Sequence, residues 1–260
     1  MGLGCFIYCA AWAEARSIEY RKMLSFIVPA YNEELELSAT LAAIHAAASS
    51  AAQPYEIIVV DDASTDATSE IAARAGAKVI RINRRQIAAA RNAGARTAQG
   101  EYLFFVDADT RISREHVSEG IAALEAGYAG GSARVAMDGV VPGWGRILLR
   151  AFSVLYFGLN LGAGAFLFTR RRNFEATGGF DEQYFVGEEV YFSLALKNLG
   201  RFKVLREPIV TSGRKLRMYP AGQFLGDFFG VVVAGPRGAR SRAKLRLWYD
   251  GKREKQAAEL

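Results

Sequence analysis

Four short β-rich apolar runs, LSFIVPA (24–30), YEIIVVDD (55–62), AKVIRI (77–82) and EYLFFVDAD (101–109), alternate with alanine-rich stretches at 33–49, 66–75 and 87–98. No other feature narrows the choice of folds as much. The runs read as buried strands and the stretches between them as helices. Strand, helix, strand repeated in this way predicts an α/β fold with a Rossmann-like, mostly parallel central sheet flanked by helices. In such sheets the ligand crevice lies beyond the carboxyl ends of the strands. There the chain places PAYNEE after the first strand, DDASTD after the second and DADT after the fourth.

After residue 127 the alternation loosens. GYAGGSARVAM and GAGAFLFT read as strands and GWGRILLRAFSVLYFGLNL as a helix. GEEVYFSLALKNLG (187–200) is an amphipathic helix closed by a glycine. Residues 151–169 are nineteen uncharged positions, long enough to cross a bilayer, but three glycines and an asparagine favour a buried core element.

The 260 residues, 51% hydrophobic, supply one large domain, expected at 24–235 between an N-terminal extension (1–23) and a basic C-terminal tail (236–260). The net charge of +6 suits an anionic partner, which nucleic acid, nucleotide phosphates and anionic lipid would all satisfy. Cys5 and Cys9 lack the partners for a zinc site or a disulfide framework, so a reducing, cytoplasmic compartment is expected. The apolar run around them is short and lacks a basic leader, a poor signal peptide, and Met23 is an alternative start.

On an extended strand, residues i and i+2 share a face, so Asp107 and Asp109 are expected to converge while Ala108 points away. Two convergent carboxylates suit Mg²⁺ or Mn²⁺, which take few protein ligands beside phosphates and water. The plainer alternative is a solvated turn leading to a helix near Ser113. Asp62 would reach the same crevice, whereas Thr65 or Asp66 can simply cap the next helix. Tyr31 and Glu33 can stack on or hydrogen-bond to a base or ribose. Arg91 can reach a phosphate, although a surface arginine on an alanine-rich helix is the ordinary expectation.

In combination, VPAYNEE, VVDDASTD, ARNAGA, GEYLFFVDADT, GGFDE and GEEVYFSLAL, spread over 24–212, resemble the inverting family-2 glycosyltransferases of the GT-A nucleotide-diphospho-sugar fold. The resemblance implies transfer of a single sugar from a nucleotide-diphosphate sugar to a hydroxyl acceptor with a divalent metal, Mn²⁺ or Mg²⁺. No nucleic acid partner is implied. Positions matching Pro29, Ala30, Tyr31 and Glu33 line the nucleotide pocket, Asp62 contacts the base and Arg91 belongs to the donor site. Asp107 faces the ribose and metal, and Asp109 ligates the metal. The Glu-Asp pair that supplies the catalytic base falls on Glu188 and Glu189. A glutamate there keeps the carboxylate but extends its reach by roughly 1.5 Å. Glu189 is then the expected base and Glu188 an acceptor-orienting acid, although a helix N-terminus favours two acids without any catalysis.

Gly179 and Asp181 fall on the acceptor side, where Asp181 can equally cap a turn. Arg214 and Lys215, in TSGRKLR, can close over the diphosphate. A histidine that is the third metal ligand in some relatives has no counterpart, and His45 and His116 read as structural. The chain lacks QxxRW and multiple spans, which favours single-sugar transfer. Phe224, Phe228, Phe229 and Trp248 beside Arg237, Arg240, Arg242, Lys244 and Arg246 fit either peripheral contact with the inner face of an anionic membrane or a last core helix with a solvated tail. A non-catalytic nucleotide-sugar binding module and a sugar-phosphate nucleotidyltransferase are the alternative functions. The latter needs a glycine- and lysine-rich phosphate loop, which VPAYNEE is not.

Overall fold

The structure, a computed structural model, describes residues 23–242 together with Leu245 and Tyr249. Along the first strand, β1 (Leu24–Ala30), Leu24, Phe26 and Val28 face one hydrophobic core and Ile27 faces another. A strand buried on both sides needs helices on both sheet faces. These are α1 (Leu37–Ser49), followed by β2 (Tyr55–Asp62), α2 (Thr68–Arg74), β3 (Lys78–Ile82), α3 (Ile87–Thr97) and β4 (Tyr102–Val106). The strands β3, β2, β1 and β4 pair in parallel, with Phe26 opposite both Ile57 and Phe104. The expected alternation is therefore realised, with helix ends trimmed by a few residues.

The second half departs from a purely parallel sheet. It comprises β5 (Thr110–Arg111), α4 (Arg114–Glu125), β6 (Gly130–Met137), α5 (Gly143–Gly158), β7 (Phe166–Arg170), α6 (Arg171–Thr177), α7 (Glu188–Leu199), β8 (Phe202–Thr211), α8 (Arg214–Met218) and α9 (Ala221–Ala239). The eight strands run β3-β2-β1-β4-β7-β6-β8-β5. β7 is antiparallel to β4 and β6, and β5 is antiparallel to β8.

Both reversals position the site. Because β7 begins where β4 ends, the Asp107 N–H donates to Ala165 O at 3.1 Å and the loop before β7 meets the acidic strand end. The β5–β8 ladder sets Thr110 opposite Thr211, which brings the start of α8 to the same place.

One core contains Phe26, Phe104, Phe166 and Phe168 under α1 and α4. On the other face Phe105 packs edge-on to Phe180 at 5.0 Å, and Phe180 stacks on Phe192 at 4.1 Å. That cluster anchors α7 to β4. Burying each such ring contributes about 1.5–3 kcal/mol.

Three expectations change. The fourth strand ends at Val106, because the Thr110 N–H donates to Asp107 O at 3.0 Å and closes a turn. α5 is no buried core element: Ile147 and Val154 are 73% and 78% exposed, while the strand that follows is buried. Among the described residues no helix is long and apolar enough to cross a membrane. The expected tail also packs where it is described, since Arg240 donates to the Tyr184 hydroxyl at 3.0 Å and Leu245 is buried. α9 breaks at Gly235 (φ 54°), where the domain was expected to end. Residues 1–22, with Cys5 and Cys9, and Lys244, Arg246, Trp248 and the Phe228 side chain lie outside the described residues.

Candidate active site

The parallel strands end in a pocket lined by Pro29, Ala30, Tyr31 and Glu33 from β1 and its loop, Asp62 from β2, and Asp107, Ala108 and Asp109 beyond β4. Arg214 and Lys215 close it from α8. The two aspartates do converge, but through a turn rather than an extended strand. Thr40 Oγ1 donates to Ala108 O at 2.8 Å and holds the middle of that turn against α1.

Each aspartate is bridged by an arginine. Arg91, on α3, is only 2% exposed. Its Nη1 donates to Glu188 Oε1 at 2.7 Å, and its Nη2 donates to Asp107 Oδ1 at 2.9 Å and Gly164 O at 2.8 Å. Its guanidinium therefore ties the end of β4 to the start of α7, rather than lining the donor pocket as a phosphate ligand. Arg214 donates to both Glu33 carboxylate oxygens at 2.6 Å and lies 3.2 Å from Asp109 Oδ2. Asp109 Oδ1 accepts from Thr211 Oγ1 at 3.2 Å. Glu33, expected to face the nucleotide, is thus the anchor of Arg214.

Asp62 is also committed to the protein. Its carboxylate accepts backbone N–H groups of Arg84, Arg85 and Gln86 at 2.7, 2.8 and 2.7 Å. It shapes the loop that carries Arg85, whose guanidinium stacks 3.2 Å above the Tyr31 ring. Arg85, Gln86, Ile87 and Tyr249 line the pocket and were not expected from sequence. The Tyr249 hydroxyl donates to Phe185 O at 2.7 Å.

Glu188 and Glu189 open α7 after Gly187, where the helix dipole favours carboxylates. Burial pushes Glu188 upward while Arg91 opposes it. Burial, followed by the Glu188 charge, pushes Glu189 up to about 8. Asp107 is also raised by burial, with Arg91 pulling it back and Asp109 adding to the rise. Gly164 is what allows this crowding. A Cβ there would lie 3.1 Å from Arg91 Nη2 and 3.4 Å from Glu189 Cγ.

The remaining acceptor-side residues have contacts within their own loop. Gly179 (φ +82°) packs against Asn92 and Phe174, where a Cβ would come within 2.6 Å of Asn92 Oδ1. Its N–H donates to Phe174 O at 3.0 Å, which closes the turn after α6. Asp181 accepts the Gln183 N–H at 2.9 Å, the turn-capping alternative. His45 bonds Tyr55 and Ala75 O, and His116 completes a cap with Ser113, so both histidines are structural. Asp66 accepts the Thr68 N–H at 3.0 Å just ahead of α2, whose N-cap position is Ala67.

A divalent cation suits the donor set at the turn. Asp107 and Asp109 offer hard carboxylate oxygens to a pocket that Arg85, Arg214 and Lys215 also line. Among the described residues no group of three or more His, Cys, Asp or Glu could enclose an ion.

The model of the family described as Glycosyl transferase family 2 matches residues 25–183. Undecaprenyl-phosphate 4-deoxy-4-formamido-L-arabinose transferase of Aeromonas hydrophila is 36% identical over 115 residues, 41% of this chain and 35% of that protein. The 4,4'-diaponeurosporenoate glycosyltransferase of Staphylococcus haemolyticus is 33% identical over 121 residues, 44% of this chain and 31% of that one. The chain spans about a third of the length of these curated relatives. Among solved structures, glucosyl-3-phosphoglycerate synthase from Mycobacterium tuberculosis with Mn²⁺, UDP and glucosyl-3-phosphoglycerate aligns at TM-score 0.60 and 19% identity, covering 85% of this chain and 80% of that one. The mannosyltransferase from Pyrobaculum calidifontis with GDP-Man and Mn²⁺ aligns at 0.58 and 21%, covering 88% and 70%. At such identities the likeness shows the fold, which is of the GT-A type.

Proposed function

Because the chain belongs to glycosyl transferase family 2, we propose that it moves one sugar from a nucleotide-diphosphate donor to a hydroxyl acceptor by direct displacement at the sugar C1. The observation that carries this reading is the meeting of five strand-end and turn residues, Tyr31, Glu33, Asp62, Asp107 and Asp109, with Arg214 and Lys215 in one pocket. The acceptor oxygen forms the new bond to C1 as the bond from C1 to the diphosphate breaks. The nucleoside diphosphate leaves with the bonding electrons, and the acceptor proton passes to Glu189.

This chain's residues divide that work. Arg85 stacks on Tyr31 beside the place for a base, and Asp62 holds the loop that carries Arg85 in shape. Arg214 and Lys215 supply positive charge to the diphosphate. Asp109 and Asp107 would hold a divalent cation, which would supply Lewis-acid stabilisation of the leaving group. Glu189 is a stronger base than an ordinary carboxylate, since its raised affinity for protons is what a proton acceptor needs.

The acceptor is proposed to be amphipathic and presented at the inner face of a membrane. Two relatives support this by name, one a transferase to undecaprenyl phosphate and one a glycosyltransferase of diaponeurosporenoate. A thermal-shift screen across nucleotide sugars with Mn²⁺ tests the donor reading, because a ligand that binds only the folded state raises Tm. A shift with one donor class that is lost in Asp109→Ala is expected. Stabilisation without any release of nucleoside diphosphate would favour a binding protein instead.

A further inference from the structure

The helix that faces the catalytic acids on one side turns an apolar stripe outward on the other. Ile147, Ala151, Val154 and Gly158 stand at i, i+4, i+7 and i+11 of α5 and share one helical face. Ile147 and Val154 are largely exposed, and the loop before them adds Val140 at 83%. On α9, Phe229 and Val233 lie four residues apart and are likewise exposed, Val233 at 85%. Trp144 of α5 and Phe224 of α9 bring their rings to 5.6 Å, which joins the two helices.

On α5 the charge has one sign. α5 carries Arg146 and Arg150, both exposed, and no acidic residue. Arg150 borders the same shallow apolar groove as Ala151, Val154 and Leu159. Beyond α9 the exposed Arg240 and Arg242 extend the basic character. Apolar side chains flanked by arginines are the composition of a helix lying in a membrane interface. A second copy of the chain is a poorer occupant, because a self-complementary contact would bring the arginines of both copies together.

We propose that the outer face of α5 docks onto an anionic lipid bilayer. The proposal rests on the reading of Glu189 as the acceptor-side base, and it gives that reading a direction. Tyr156 stands opposite the stripe on α5, and its hydroxyl donates to Gly162 O at 2.9 Å. The loop that it steadies continues to Gly164, against Arg91 and Glu189. One helix therefore separates the bilayer from the base, and an acceptor whose apolar part stays in the lipid meets the site with its polar head.

Co-sedimentation of the full chain with phosphatidylcholine vesicles, and with vesicles containing phosphatidylglycerol, tests this. Wild type should bind the anionic vesicles, less so at high salt. The Ile147→Glu/Val154→Glu variant should lose at least about tenfold in affinity, as two apolar contacts become charged. Val154→Glu alone and Arg146→Glu/Arg150→Glu should each weaken binding, and the donor-induced thermal shift should remain in all of them. Equal vesicle binding by wild type and the double variant overturns the proposal, as does a concentration-dependent dimer abolished by the same substitutions. Vesicle binding through these residues without any donor-induced shift supports the docking surface and contradicts the glycosyltransferase reading.

Discussion

The two arginine bridges beside the 107–109 turn use the same chemistry to different ends. Arg91 sits in the interior of a helix, almost without exposure, with its three contacts on three separate segments. Arg214 begins a five-residue helix in a connecting segment and grips Glu33 while touching Asp109 only at 3.2 Å. The first bridge is buried structure that fixes Asp107 relative to Glu188. The second lies at the pocket wall, which Asp109 and Lys215 also line. One acid of the pair is tied to the buried start of α7, and its neighbour to the pocket wall.

The sharpest way to break the contrast is Arg91→Met. Removing one member of a buried ion cluster strands Asp107 and Glu188, and about 3–5 kcal/mol of stability should be lost in urea or thermal unfolding. Arg214→Met should cost less, about 1–2 kcal/mol, since Glu33 and Asp109 both line the pocket, whereas Glu188 is 4% exposed and does not line it. Equal losses would erase the distinction.

Next in size is Glu189→Gln, which should lower turnover by about two orders of magnitude or more with donor binding intact. Its stability carries a sign. The folded state raises Glu189 from 4.5 to about 8, so the fold disfavours the charged form. That penalty is absent below 4.5, grows as pH rises and is complete above about 8. Tm of the glutamine variant should exceed that of wild type at pH 9 and match it near pH 4.5. Wild-type turnover should climb with pH and level off near 8, a limb that the variant lacks.

Smaller again is Arg214→Lys, which keeps the charge but not the fork that spans Glu33. The donor KM should rise about tenfold with kcat little changed, the pattern of lost ground-state binding. Arg85→Ala should raise donor KM by only about two- to fivefold, because a stacked guanidinium at a pocket mouth contributes about 0.5–1 kcal/mol.

The parallel half of the fold was legible because each strand is a short apolar run with its polar residues collected at one end. The strand-end residues were legible for the same reason. What their side chains bond to was not. Arg91 finds Glu188 ninety-seven positions away, and Arg214 finds Glu33 across 181. Nothing near either arginine marks it as bridge or ligand. Arg85 was hidden in NRRQ, which reads as a solvated charge run, and Tyr249 reaches the pocket from a segment that reads as a tail. Residues 151–169 show the limit of composition, since an apolar helix looks the same in sequence whether it fills a core or faces outward.

The most direct measurement is Mn²⁺-dependent release of nucleoside diphosphate from a panel of nucleotide sugars, comparing wild type with Asp109→Ala. Release by wild type from one donor class, reduced at least about a hundredfold in the variant while its fold and Tm persist, is the predicted result. Equal release by both proteins, or no metal-dependent release from any donor, would contradict the assignment of the 107–109 turn.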